Sequence, residues 1–282
     1  MGAAMASLTE TAAAAAATAR PLPIPVVKAD RIEKVFVRDG KHTKAIGDVS
    51  FTIAKGEFVS LLGPSGCGKS SFLNLIAGLD FPTSGEISFM GKRVASINQD
   101  VGYVTQEDTL LPWRSVRDNI ALPLELRGVS KADALRRTDE YIRLVNLTGF
   151  EDHFPAQLSG GMRRRVAIAR TLVYQPGTIL FDEPFAALDA QLRLILQEEL
   201  LNIWERTRLT VLFVTHDIAE AISLSDRVIL LSASPAEVQL DEKIDIPRPR
   251  HLVETHGTPE FARYYKKIWD LLRAGFRRGV DA

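Results

Sequence analysis

The stretch GPSGCGKSS, residues 63–71, sets three glycines around Lys69, with hydroxyls at Ser65, Ser70 and Ser71. Glycine lets a backbone wrap closely, so that successive N–H groups point inward, and a helix beginning near Gly68 adds the positive end of its dipole. The pattern Gly63-x-x-x-x-Gly68-Lys69-Ser70 lies between a strand-like run, EFVSLL, and a helix-like run, SFLNLIAG, which is where a phosphate-cradling loop has to sit. In such a loop Gly63, Pro64, Ser65, Gly66, Cys67, Gly68, Lys69, Ser70 and Ser71 wrap the phosphates of a nucleotide. Lys69 reaches the β and γ phosphates, and the Ser70 hydroxyl binds Mg²⁺. Cys67 fills a position that takes a small side chain; the alternative is a thiol whose pKa the field of the loop lowers, making it reactive.

A second group follows the apolar run TILF, where Asp182 and Glu183 stand side by side. At the carboxyl end of a strand beside a phosphate loop, Asp182 is placed to hold the metal through water and Glu183 to polarise the attacking water. Adjacent acids after a strand also occur as a solvated turn or a helix cap, so the pair gains its meaning from the loop.

These residues need a sheet to hold them. From Arg31 the pieces RIEKVFV, VSFTI and EFVSLL read as strands, and GEISFMG as a hairpin strand. Gly78 is a helix stop. Residues 115–175 are mostly helical in character, with Lys131–Val145 the clearest amphipathic stretch. TILFD, TVLFV and RVILL then alternate with helical segments 190–207 and 217–224, which implies a parallel sheet covered by helices. The expected fold is an α/β phosphate-loop NTPase with a mainly parallel core sheet, an antiparallel β subdomain and a helical subdomain over about residues 107–165.

The ends differ from the middle. Residues 1–29 are alanine-rich and then proline-punctuated, and are expected to be a disordered tail; a cleaved signal peptide would need a basic stretch ahead of the alanines. Residues 30–242 form the expected ATPase domain. Residues 243–282 are expected to be a linker followed by a helix over about Pro259–Ala274, bearing Phe261, Tyr264, Ile268, Trp269 and Leu272 and docking on the domain.

Bulk composition excludes several classes. The chain of 282 residues has 35 Lys plus Arg and 35 Asp plus Glu, so its net charge does not draw nucleic acid. Its single cysteine excludes a disulfide framework or a multi-cysteine metal site and suits a reducing compartment. No apolar run approaches the roughly 20 residues needed to cross a bilayer, and no internal repeat is present, so one nucleotide site per chain is expected.

The chain resembles the ATP-binding subunits of ABC transporters. LSGGM, at Leu158–Met162, is similar to the signature that separates this family from other phosphate-loop ATPases. Read from its residues, Ser159-Gly160-Gly161 is a helix cap. The resemblance implies that this cap faces the γ-phosphate of ATP bound to a second copy, or to a homologous ATPase subunit, so that hydrolysis to ADP and phosphate requires a dimer. It further implies that Phe36 stacks on adenine, that Gln106 senses Mg²⁺ and the γ-phosphate, that Asp189 lies in the loop crossing the dimer contact, and that His216 reaches the γ-phosphate. Lys69, Gln106, Glu183 and His216 are the expected catalytic group, and Ser70, Gln106 and Asp182 the expected metal group.

Two positions depart from the family pattern: Arg164 stands where glutamine is usual, and Ala186 where glycine is usual. Arg164 puts the usual contacts behind the signature in question, and Ala186 the backbone freedom near the dimer contact. The LLPW stretch after Gln106 and the closing PEFARYYKKIWDLL are similar to the nitrate, sulfonate and taurine branch of importers. Membership there implies a membrane permease partner, indirectly a solute-binding protein, and a peripheral place on the cytoplasmic face of the cell membrane. Leu110, Leu111 and Trp113 either form an exposed patch for that partner or pack inside the helical subdomain. An exporter subunit, or a soluble ABC ATPase without a transport role, is the alternative.

Overall fold

A computed structural model describes residues 24–186 and 188–280. The first 23 residues of the expected tail lie outside the described residues. Its remainder does not behave as a tail, because β1 runs Val27–Arg38, ahead of the expected start at residue 30. Val27 pairs with Ile53 on one side and with Phe89 on the other, and Val26, Val27 and Ala29 are buried. A run of small and β-branched residues is apolar enough to be a strand once two neighbours supply its hydrogen bonds.

β1 belongs to an antiparallel sheet of four strands in the order β2-β1-β4-β5, with β2 at Lys41–Ile53, β4 at Ser84–Phe89 and β5 at Lys92–Arg93. The β1–β2 turn is Asp39-Gly40, at φ of 50° and 74°, and the β4–β5 turn is Met90-Gly91, at 50° and 77°. Positive φ at both central residues matches the right-handed twist of the strands that each turn joins.

The second sheet has the order β10-β9-β3-β8-β7-β6. Its strands are β3 (Phe58–Leu62), β6 (Val101–Val104), β7 (Thr178–Asp182), β8 (Thr210–Thr215), β9 (Arg227–Leu231) and β10 (Val238–Lys243). The pairings from β9 through β6 are parallel, and β10 is an antiparallel edge. Every residue of β3, β7 and β8 is buried, as expected of parallel strands covered on both faces.

One face of this sheet packs with the antiparallel sheet and α1 (Lys69–Ala77) into a single core, where Phe51 and Phe72 meet at 5.8 Å. The other face is covered by α4 (Gly160–Leu172) and α5 (Ala190–Thr207), around Phe58, Phe181, Phe185, Phe213 and Trp204. Helices α2 (Val116–Leu126) and α3 (Lys131–Leu144) pack with α4 as the helical subdomain, capped by Ser115 and Ser130.

Residues 242–257 are not a linker. Arg250 is buried and donates to the carbonyls of Ile222, Ser223, Ser225, Ile244 and Ile246, while Arg248 lies 2.9 Å from Asp226 and stacks on Trp204. Prolines and polar residues suggest a solvated segment; here a guanidinium supplies the donors for carbonyls that a buried irregular segment leaves open. This strap contains α7 (Leu252–His256) and leads into α8 (Pro259–Val280), longer than expected. Phe261, Tyr264 and Ile268 of α8 dock on α6 (Ile218–Leu224), whereas Trp269 remains half exposed.

Candidate active site

The loop of residues 63–71 leaves the carboxyl end of β3, the central position at which ligands of open parallel sheets bind. Gly68 is the N-cap of α1 at φ 104°, in the left-handed region, and no side chain caps this helix. A Cβ on Gly68 would also stand 3.2 Å from Ala45 O, so glycine meets both a conformational and a steric need. The helix therefore begins with N–H groups free for an anion.

Lys69 is 4% exposed, and its Nζ donates to Gly63 O and Pro64 O at 2.9 Å each. The same Nζ lies 3.5 Å from Glu183 Oε1. A buried ammonium held by carbonyls of its own loop and by a nearby acid sits folded back over the space that the loop encloses. Cys67 is buried inside the loop, where burial pushes its thiol pKa up despite the opposing pull of Lys69. The filler reading therefore holds, and the reactive-thiol alternative does not.

Asp182 and Glu183 end β7 beside this loop. Ser70 Oγ donates to Asp182 Oδ1 at 2.9 Å. Burial raises the Asp182 pKa, the charge of Glu183 adds to this, and hydrogen bonds from Ser70 and Tyr103 oppose it. Glu183 occupies the left-handed region at φ 43°, anchored by its N–H to Val214 O at 3.0 Å. Such a backbone is costly for a residue with a side chain and recurs at functional sites. Glu183 Oε2 meets His216 Nδ1 at 2.9 Å, with the His216 side chain half exposed at the end of β8. Lys69, Glu183 and His216 thus form one chain of contacts, and Ser70 and Asp182 another beside it.

Sequence reasoning missed two supporting groups. The Tyr103 hydroxyl is shared between Asn74 Oδ1 at 3.1 Å and Asp182 Oδ2 at 3.4 Å, and burial, followed by the charge of Asp182, raises its pKa. Glu220 is buried in the first turn of α6, accepting from Thr215 Oγ1 at 2.5 Å and Gln197 Nε2 at 2.9 Å, with its pKa raised by burial. A polar residue amid the strand VGYV, and an acid in the first turn after VTHD, were the available signals.

The other expected site residues lie apart. Phe36 is 42% exposed on β1, with Lys34 Nζ 5.0 Å from its ring centre. Gln106 is exposed after β6. Ser159 caps α4 by accepting from Met162 N at 3.3 Å, and Asp189 caps α5 by accepting from Leu192 N at 2.9 Å. A Cβ on Gly161 would stand 2.7 Å from Leu192 Cδ2, so the two helix starts touch. No hydrogen bond or ion pair among the described residues joins Phe36, Ser159, Gly160, Gly161 or Asp189 to the loop of residues 63–71. Ala186 is exposed, its N–H donating to Glu183 O at 3.2 Å. Of the apolar patch, Leu110 packs against the core while Trp113 is 71% exposed.

The ABC transporter family profile matches residues 46–186, half of the chain. The chain belongs to the ABC transporter family. An uncharacterised ABC transporter ATP-binding protein of Methanocaldococcus jannaschii is 47% identical over 247 residues, covering 88% of this chain and 91% of that protein. An aliphatic sulfonates import ATP-binding protein of Bacillus cereus is 44% identical over 249 residues, covering 88% and 96%. A bicarbonate transport ATP-binding protein of Synechocystis is 44% identical over 239 residues, covering 83% of this chain and 36% of that longer protein. Among solved structures, a dimeric ATP-binding cassette in a post-hydrolysis state with ADP and Pi is 35% identical, with a TM-score of 0.69 over 78% of this chain and 100% of that one. This ABC protein is an ATPase, ATP is its nucleotide, and among its described residues no helix is long and apolar enough to cross a membrane.

Proposed function

We propose that this ABC ATPase is the energy-coupling subunit of an importer for a small anionic or sulfonated solute such as nitrate, sulfonate or taurine. It would act at the cytoplasmic face of the cell membrane with a separate permease and, indirectly, a solute-binding protein. The observation that carries the reading is the contact chain Lys69–Glu183–His216 beside Ser70–Asp182, at the mouth of an uncapped helix. Support for the importer branch comes from the names of the sulfonate and bicarbonate relatives and from exposed Trp113 in the segment that follows Gln106.

The loop amides and Lys69 bind the phosphate chain, and the left-handed backbone at Glu183 aims its carboxylate at the water that attacks the γ-phosphorus. His216 holds that carboxylate and offers its exposed edge to the γ-phosphate. Glu183 takes the proton of the attacking water as the bond to the leaving ADP breaks. Phe36, exposed on β1, would stack on adenine.

Mg²⁺ fits the residues present. Ser70 and Asp182 offer two hard oxygen donors, and Asp182 is an acid whose ionised form burial disfavours and a cation would favour. Among the described residues no cluster of His, Cys, Asp and Glu forms a cage, as suits an ion held largely by phosphate and water. When bound, Mg²⁺ would supply charge neutralisation at the phosphates; Gln106 is the third expected ligand.

Among the described residues, Ser159, Gly160, Gly161 and Asp189 have no bond to the loop of their own chain, which fits a role toward ATP on a second copy. Purification of the chain with its genomic neighbours tests the whole reading. An importer subunit co-purifies with a permease, and solute-loaded binding protein stimulates its ATPase. Recovery with an exporter-type membrane protein, or ATPase indifferent to any binding protein, would refute it.

A further inference from the structure

Helix α4 opens with Ser159 and presents three arginines to the segment that follows β6. Arg163 Nε lies 3.2 Å from Asp108 Oδ2. Arg164 Nη1 donates to Thr105 O at 2.6 Å and reaches Gln106 O at 3.5 Å. Arg170 donates to Thr109 O at 2.8 Å and Thr109 Oγ1 at 2.9 Å.

Arg163 and Arg170 are partly exposed, so water competes for their donors. Arg164 is different. It is 2% exposed, its Nε and Nη2 have no partner among the described residues, and the Asp108 carboxylate stands off at 3.9 Å. Burial pushes its pKa down to about 10, while the charges of Asp108 and Asp182 pull the other way. Unused donors on an enclosed cation are costly, and packing alone would be met by an apolar side chain of similar length.

What the guanidinium does hold is informative. Thr105 O and Gln106 O are the carbonyls on either side of the Gln106 Cα, so the bond and the longer contact fix the backbone from which the exposed Gln106 side chain projects. That side chain has no hydrogen bond of its own among the described residues, so its placement follows its backbone.

We propose that Arg164 is the positioning residue for Gln106: it sets where the Gln106 amide stands relative to Asp182 and the nucleotide, and ties that position to the helix opened by Ser159. This rests on the reading of Gln106 as a Mg²⁺-responsive residue. A glutamine at position 164 would carry one donor group and no charge; arginine here makes the tie charged, and its field reaches Asp182.

The test is a binding cycle on the full chain. ATP affinity is measured with EDTA and with saturating Mg²⁺ for the unmodified protein, Gln106→Ala, Arg164→Met and the double variant; the ratio of the two affinities is the Mg²⁺ enhancement. Affinity in EDTA stays within about twofold for all four proteins, since the loop of residues 63–71 is untouched. The enhancement falls roughly 10-fold in Gln106→Ala and similarly in Arg164→Met, the size typical of residues that orient a metal ligand. The double variant is no worse than the weaker single one, because both remove the same effect. Arg164→Lys and Arg164→Gln, each keeping a donor, recover at least half of the loss on a logarithmic scale.

A merely structural Arg164 would lower the melting temperature and leave the enhancement unchanged, or give losses that multiply in the double variant; either result overturns the proposal. If Arg164→Met does not fold by circular dichroism, Arg164→Gln takes its place in the same cycle, with a smaller loss and the same non-additivity. A Gln106→Ala protein with unchanged enhancement would instead refute the reading of Gln106 itself, whereas a defective Gln106→Ala with a neutral Arg164→Met refutes only the positioning role.

Discussion

Helices α1 and α4 both begin with glycine-rich turns, and they are finished in opposite ways. At α1 no side chain caps the first turn, Gly68 takes a left-handed backbone, and Lys69 is folded over the opening by two carbonyls of its own loop. At α4 the Ser159 hydroxyl already accepts from Met162 N, and Gly161 is pressed against Leu192. The first start is an anion site complete within one chain. The second is a self-satisfied cap with no hydrogen bond to that loop among the described residues, which fits the proposed role toward ATP on a second copy. Preorganisation is concentrated where the phosphates enter, and the remaining half of the machinery is held ready but unjoined.

The largest test of this division is at the preassembled end. Glu183→Gln keeps ATP binding within about threefold while phosphate release slows roughly 10²- to 10⁴-fold, the range for loss of a general base. Unaltered turnover would remove Glu183 from its role and leave the Glu183–His216 contact without a chemical purpose.

A smaller effect separates the base site from the phosphate site. Phe36 is exposed and touches the ATPase core little, so Phe36→Ala should leave the melting temperature unchanged and weaken ATP roughly 5- to 150-fold, from about 1–3 kcal/mol of ring stacking. Inorganic tripolyphosphate, which carries no base, should bind the variant as well as the unmodified protein. Equal losses for both ligands would show that Phe36 acts on the loop and not on adenine.

The smallest effect lies far from either helix start. Partial burial lowers the His256 pKa below its ordinary 6.5, and the ring sits on Phe261 at 4.7 Å with Nε2 3.0 Å from Ser223 Oγ. A histidine kept neutral in the fold contributes stability that is present above pH 6.5 and lost as pH falls through the lowered value. Melting temperature should therefore decline with acidification below pH 6.5, and His256→Gln should flatten that decline without changing ATP affinity. An identical pH profile for both proteins would exclude the strap as the source.

Much of the nucleotide loop was legible because its chemistry is local: Gly63 to Ser71 must be consecutive to wrap phosphate, and a strand and a helix must flank them. The parallel core strands were legible for a similar reason, since TILFD and TVLFV are apolar throughout. The strap at 242–257 was not, because what makes it a packed element is one arginine serving carbonyls of the strap itself and of the distant segment 222–225. Tyr103 was hidden likewise: its position in VGYV says strand, and only the fold brings Asn74 and Asp182 to its hydroxyl. The start of β1 was missed because Val26 to Ala29 earn their strand character from partners that follow in the sequence.

The central claim is that Ser159 and its helix serve ATP held by a second copy. Molecular mass in solution, measured with and without ATP, tests it most directly on the Glu183→Gln protein, where hydrolysis is stalled. An ATP-dependent dimer is expected when Ser159 is intact and a monomer when Ser159→Trp is added, with ATP still bound to each chain. An ATP-dependent dimer of equal stability in both proteins would contradict the account.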